Sequence, residues 1–121
     1  RAYAQGRQPT IYGDGGQTRD FTFVEDIVSA NLACLTAPAE AAGGVFNVAY
    51  GDRISVNDLA REIAALAGCP FDPVYAPPRP GDIRESQADA ARARRVLGWT
   101  PKYRFADGLA ATWSWFKDRF R

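Results

Sequence analysis

Apolar positions recur along this chain in two rhythms, one close to 3.6 residues and one of two. The changes between them mark out short strands and amphipathic helices. The clearest helical stretch starts at Ser55, where Ser55 and Asp58 form a capping-box-like opening. Val56, Leu59, Ala60, Ile63 and Ala67 then make a buried stripe, and Gly68 supplies the stop. A helix directly after Phe23 puts Val24, Ile27, Val28, Leu32 and Leu35 on one face and ends before Pro38. Asp89 is placed to cap a short helix carrying Ala93, Val96 and Leu97, stopped by Gly98. The last helix begins near Phe105 and gathers Leu109, Trp113, Phe116 and Phe120 on one side. The opening Arg1-Ala2-Tyr3-Ala4-Gln5 before Gly6 has the form of the last turns of a helix closing on a glycine cap.

Strands read as shorter pieces. Thr10-Ile11-Tyr12 ends in the turn cluster Gly13-Asp14-Gly15-Gly16, which reads as a tight, hairpin-like turn. Phe21-Thr22-Phe23 alternates as a half-buried strand does. Val45 to Ala49 follows the Gly43-Gly44 pair, and Phe71 to Tyr75 precedes a proline-rich loop from Ala76 to Gly81. The order is α/β throughout, with small strands, amphipathic helices, no repeats and no internal linker.

Composition narrows the chemistry. At 121 residues this is one domain or part of one. The 15 basic and 14 acidic residues leave a net charge of +1, so no global field draws in nucleic acid or an acidic membrane, and any anion must be met by local arginines. Histidine is absent, which excludes His-based acid–base or triad chemistry within the chain. Cys34 and Cys69 fall in helical patterns with no short spacing between them. They read as buried free thiols in a reducing cytosol, with neither a metal site nor a disulfide framework. No apolar run approaches a membrane span and no signal peptide is visible, so a cytoplasmic protein is expected. The chain has no methionine and opens in mid-pattern, which gives the expectation of a fragment of a longer polypeptide.

Two arginine segments about sixty residues apart carry the candidate chemistry: Gln17-Thr18-Arg19-Asp20-Phe21 and Arg79-Pro80-Gly81-Asp82. Two guanidiniums that fork onto phosphate oxygens, with a carboxylate to accept from ribose hydroxyls, suit a nucleotide diphosphate. Each residue also has a plainer reading. Arg19 can pair at the surface with Asp14 or Asp20, and Arg79 can bridge to Asp82 within its loop while Arg84 competes for the same carboxylate. Tyr12 can be core, and Arg92, Arg94 and Arg95 can be a solvated helix face. Gly13, Gly15 and Gly16 do not make a dinucleotide-binding fingerprint, because the spacing is wrong and no long apolar strand precedes them. No tyrosine is followed four residues on by a lysine, and Lys102 and Lys117 are the only lysines. The chain has binding chemistry and no catalytic residue.

Taken in order, the segments Thr10-Ile11-Tyr12-Gly13-Asp14-Gly15, Gln17 to Ile27, Phe46-Asn47-Val48-Ala49 with Gly51, and Ser55-Val56-Asn57-Asp58-Leu59 form a recognisable series. It continues with Pro77-Pro78-Arg79-Pro80-Gly81-Asp82 and Ala88-Asp89 through Leu97-Gly98-Trp99-Thr100-Pro101. Together they resemble the C-terminal portion of extended short-chain dehydrogenase/reductases, in the NAD-dependent epimerase/dehydratase family that includes UDP-glucose 4-epimerase. The resemblance implies that residues 1–121 are a small α/β nucleotide-sugar-binding domain. On that pattern an N-terminal Rossmann domain, absent here, binds NAD and supplies the catalytic tyrosine, lysine and Ser/Thr. It implies that Arg19 and Arg79 clamp the diphosphate, that Asp82 accepts from the ribose, and that Thr10 and Tyr12 line the base pocket. The implied reaction is epimerisation at the sugar 4-position by oxidation to a 4-keto sugar, rotation and return of hydride to the other face, with this domain providing the anchor. The full-length protein is then expected to be a homodimer. A nucleotide-sugar 4,6-dehydratase, reductase or decarboxylase shares these segments, and a non-catalytic scaffold relative is the alternative from another class.

Overall fold

Four α-helices and two small sheets carry the chain, and the computed structural model describes residues 1–119. In chain order they are β1 (Thr10–Tyr12), β2 (Thr18–Arg19), α1 (Val24–Leu35), β3 (Ile54–Ser55), α2 (Val56–Ala67), β4 (Val74–Ala76), α3 (Ala91–Leu97) and α4 (Phe105–Arg119). Phe120, expected on the apolar side of α4, lies outside the described residues. A single 3-10 turn, Tyr3–Gln5, replaces the helix end expected at the start, and Gly6 closes it at φ 66°. β1 pairs in parallel with β4, Ile11 opposite Tyr75. β2 pairs antiparallel with β3, Arg19 opposite Ile54. The turn between β1 and β2 is therefore no hairpin, because its two strands belong to different sheets.

The helix α2 forms as its pattern predicts. Ser55 Oγ accepts the Asp58 N–H at 3.0 Å and donates to the Asp58 carboxylate at 2.6 Å, while Gly68 takes the left-handed conformation at φ 66°. Ala60 and Ala64 are buried, and the helix packs against α4 and the Tyr3–Gln5 turn. The cap position of α3 is Ala90, one residue later than expected; Asp89 stands just before it and still accepts the N–H of the first helical residue, Ala91, at 2.8 Å.

Two expected strands are absent. Residues 21–23 and 45–49 run as irregular chain. Their polar groups go to side chains and loops: Tyr50 N–H donates to Thr22 Oγ1, and Arg92 donates to the Val45 carbonyl while stacking on Phe46. Arg92 and Arg94 thus tether residues 45–50, Arg94 through the Tyr50 carbonyl, instead of forming only a solvated face.

The helix α1 is turned over relative to its apolar pattern. Val24, Val28, Leu32 and Leu35 point outward, with Leu35 80% exposed, while Asp26 and Ala30 are buried. Small residues on the inner face let α3 approach, so Ala30, Ala90, Ala93 and Trp99 form a close core joined by Ala33, Phe46, Val48 and Leu97. The Asp26 carboxylate, 1% exposed, accepts from the backbone of Lys102 at 2.8 Å and of Tyr103 at 3.2 Å. Trp99 Nε1 donates to Ser29 Oγ at 2.8 Å from the same face. The thiols also depart from expectation: Cys34 is exposed and Cys69 half-buried. No helix among the described residues is long and apolar enough to cross a membrane.

Replacing Asp26 by Ala removes the buried acceptor of two part-buried N–H donors and opens the joint between α1 and the segment before α4. Urea unfolding is expected to show a loss of about 2–3 kcal/mol; a loss below about 0.5 kcal/mol would mean that solvent reaches those donors freely.

Candidate functional site

Parallel pairing sends β1 and β4 out in the same direction, so the loops that follow them open side by side. Gly13 N–H donates to the Ala76 carbonyl at 2.9 Å, extending the pairing into the turn. Between the Gly13–Gly16 turn and the proline-rich loop lies an open cleft of about 710 Å³, with Tyr12, Asp14, Tyr75, Arg79, Asp82 and Arg84 in its wall. A neighbouring recess of about 420 Å³ shares Tyr12, Arg79 and Asp82 and adds Thr10.

The two arginines occupy different situations. Arg19, on β2, is fully engaged. Its Nη2 meets Asp82 Oδ1 at 2.6 Å, and its Nη1 donates to the carbonyls of Thr18 and Ile83, each at 2.7 Å. It borders neither recess and touches the site through Asp82. Neither surface partner expected for it is used. Asp14 instead meets Arg84 at 2.6 Å, and Asp20 accepts from Gly51 and Ala88 N–H groups.

Arg79 makes no ion pair among the described residues. Its guanidinium carbon sits 3.8 Å from the centroid of the Tyr12 ring. The intra-loop bridge from Arg79 to Asp82 does not form; a backbone hydrogen bond, Asp82 N–H to the Arg79 carbonyl at 3.2 Å, closes that turn. Tyr12 is 38% exposed in the cleft wall, not core.

Gln17 is a site residue whose role went unassigned. It is 8% exposed and donates from Nε2 to the Tyr12 carbonyl at 2.9 Å and to Asp82 Oδ2 at 3.3 Å, joining the end of β1 to the acidic residue across the cleft. Its place two residues before Arg19 was the available signal.

Asp14 and Arg84 clip the two loops together at the cleft mouth, and the bare Gly16 makes room for the arginine. A Cβ there would stand 2.6 Å from an Arg84 guanidinium nitrogen. The hydrogen bond from Arg84, with a second from Gly16 N–H, holds the Asp14 carboxyl below the usual carboxylate range, and Asp14 in turn raises Arg84.

The Gly13–Gly16 turn does not fit a dinucleotide. It follows a strand of three residues and leads into β2, so no helix N-terminus faces a pyrophosphate. What the cleft offers is a cation with donors to spare, an aromatic face, and a carboxylate held in place by two neighbours. That set can grip an anionic group beside a ring and a hydroxyl-bearing unit.

The sequence matches the family model for GDP-mannose 4,6 dehydratase over residues 1–112. It is 43% identical to UDP-glucose 4-epimerase of Mycolicibacterium smegmatis over 98% of this chain, and spans 37% of that relative's length. The fold superposes at TM-score 0.90 and 35% identity on a crystal structure of UDP-glucose 4-epimerase with UDP-glucose from Thermotoga maritima, covering 98% of this chain and 38% of that one. It superposes at TM-score 0.89 and 28% identity on UDP-glucuronic acid 4-epimerase from Bacillus cereus in complex with UDP-glucuronic acid and NAD, covering 99% of this chain and 39% of that one.

The clip has a titration signature. Because the folded Asp14 value is depressed, the contribution of the clip is present above the unfolded carboxyl value and is lost as pH falls through the folded one. In Arg84→Gln, the Asp14 carboxyl titration followed by NMR is expected to move up toward the ordinary range; an unmoved midpoint would assign the depression to Gly16 N–H alone.

Proposed function

The chain belongs to the NAD-dependent epimerase/dehydratase family of extended short-chain dehydrogenase/reductases, and from that membership we propose that its cleft anchors the nucleotide diphosphate of a nucleotide-sugar substrate. The observation that carries this is Arg79: a cation without an ion-pair partner among the described residues, resting on Tyr12 beside the oriented carboxylate of Asp82. On this reading Arg79 leaves the ring to fork onto the diphosphate, and Asp82 accepts from the ribose hydroxyls. Tyr12 and the backbone of Thr10 line the base pocket. Arg19 adds positive potential behind Asp82, and meets phosphate directly only by giving up that partner.

The chain spans only 37–38% of the first relatives' length. We assign residues 1–121 to one nucleotide-sugar-binding domain of a longer, cytoplasmic, homodimeric enzyme whose remaining portion holds NAD and performs the chemistry. Energy from gripping the remote nucleotide then holds the sugar near its reacting position while leaving it able to turn. The favoured activity is that of a UDP-glucose 4-epimerase, supported by the 43% identity to such an enzyme. The match to GDP-mannose 4,6 dehydratase keeps dehydration as the second reading. A scaffold without ligand fits less well, since it has no use for an unpaired Arg79 in an open cleft.

Calorimetric titration with UDP, UDP-glucose, dTDP-glucose and GDP-mannose identifies the base. In the full-length protein, Arg79→Ala is expected to raise KM by an amount corresponding to about 1–3 kcal/mol of binding with kcat little changed. An unchanged KM would remove Arg79 from the clamp.

A further inference from the structure

Asn57 occupies the second position of α2, where an asparagine gains nothing for the helix itself, because Ser55 already provides the cap. Its side chain is spent on tertiary bonds. Nδ2 donates to the Asp14 carbonyl at 2.8 Å, and Oδ1 accepts from the Tyr75 hydroxyl at 2.9 Å. Its backbone N–H donates to the Gly15 carbonyl at 2.9 Å. The turn is shaped to receive it. Gly15 is buried at φ 72°, and a Cβ there would fall 2.0 Å from Asn57 Oδ1. One amide thus fixes the Gly13–Gly16 turn against β4. Through Asp14 and Arg84 it is also coupled to the loop that bears Arg79 and Asp82.

We propose that Asn57 is a positioning residue of the cleft: it sets the distance between the Gly13–Gly16 turn and the Tyr75 ring, and with it the stance of the Arg79 loop, although it is not part of the cleft wall. Tyr75 is half exposed in that wall, and with its hydroxyl committed to Asn57 it offers the ligand a fixed ring face instead of a polar tip. Cleft width and the orientation of that ring are therefore set from α2. The identity of the ligand rests on the nucleotide reading above; the positioning role does not.

The test uses the full-length protein with Asn57→Ala, Tyr75→Phe and the double variant, in two measurements. In the ligand-free protein, amide hydrogen exchange over residues 14–17 and 79–84 is expected to speed about tenfold in Asn57→Ala, with α1 and α3 unchanged. UDP affinity is expected to fall about tenfold in Asn57→Ala and about threefold in Tyr75→Phe, with the double variant no weaker than Asn57→Ala and kcat within about twofold throughout. Unchanged exchange in a folded Asn57→Ala protein overturns the proposal, as does exchange that rises equally across the whole fold. UDP affinity within about twofold of the parent does the same. A parent that binds none of UDP, dTDP-glucose and GDP-mannose but shows the local exchange response upholds the positioning role and sinks the nucleotide reading alone; one that binds another of them than UDP takes that ligand in the affinity series. Should Asn57→Ala not fold, Tyr75→Phe, which removes one hydroxyl, carries the same two readouts.

Discussion

Arg19 joins the two parts of the chain that make the cleft. Its guanidinium spans from β2 to the loop after β4, meeting Asp82 and the carbonyls of Thr18 and Ile83. Hydrogen bonds between Thr18 and the backbone of Arg84 and Ser86 run alongside it. With strands of only two or three residues, sheet hydrogen bonding cannot by itself hold loops sixty residues apart in sequence. Charge-assisted bonds from a half-buried arginine take over that task. Solvent reaches a third of both side chains, so the ion pair itself is screened, and the two carbonyl contacts are what give it direction.

The helix α1 shows the same reliance on polar fixing. Its large apolar residues look outward, and its inner face succeeds with alanines, a serine and a buried carboxylate. A helix that docks through Asp26 and Ser29 is located by bond geometry, whereas one that docks through leucines can slide until volumes fit. Asp26 and Trp99 therefore place the start of α4, and Gly108 lets α4 come close to Phe23, where a Cβ would be 2.9 Å away.

Local signals were legible in the sequence where a residue acts on its own neighbours. The cap at Ser55, the glycine stops at Gly68 and Gly98, and β1 are all present. The family was legible from the order of its segments. Residues 21–23 alternate as a strand does and 45–49 form a short apolar run after a glycine pair, but neither finds a pairing partner among the described residues, and local pattern alone cannot say whether one is present. The inward face of α1 was not legible, because periodicity reports where apolar residues lie, not which side is covered, and it is Asp26 and Ala30 that are buried. At the site, Arg19, Arg79 and Asp82 were singled out, yet their pairing was not: nearness in sequence offered Asp14 or Asp20 to Arg19 and Asp82 to Arg79 or Arg84, whereas the fold joins Arg19 to Asp82. Gln17 and Asn57 stayed hidden for the same reason, since their bonds run to backbone atoms and to residues distant in sequence.

If the cleft takes a nucleotide as proposed, the resting contact between Arg79 and Tyr12 makes the two halves of that ligand interdependent. While the guanidinium covers the ring, a bare nucleoside meets an occluded surface and must displace a contact worth about 0.5–1 kcal/mol. A diphosphate would, on the proposed reading, draw the guanidinium away and expose the aromatic face in the same movement. On the proposed reading, base and phosphate then bind with positive coupling, and the free energies of the separate fragments will not sum to that of the whole.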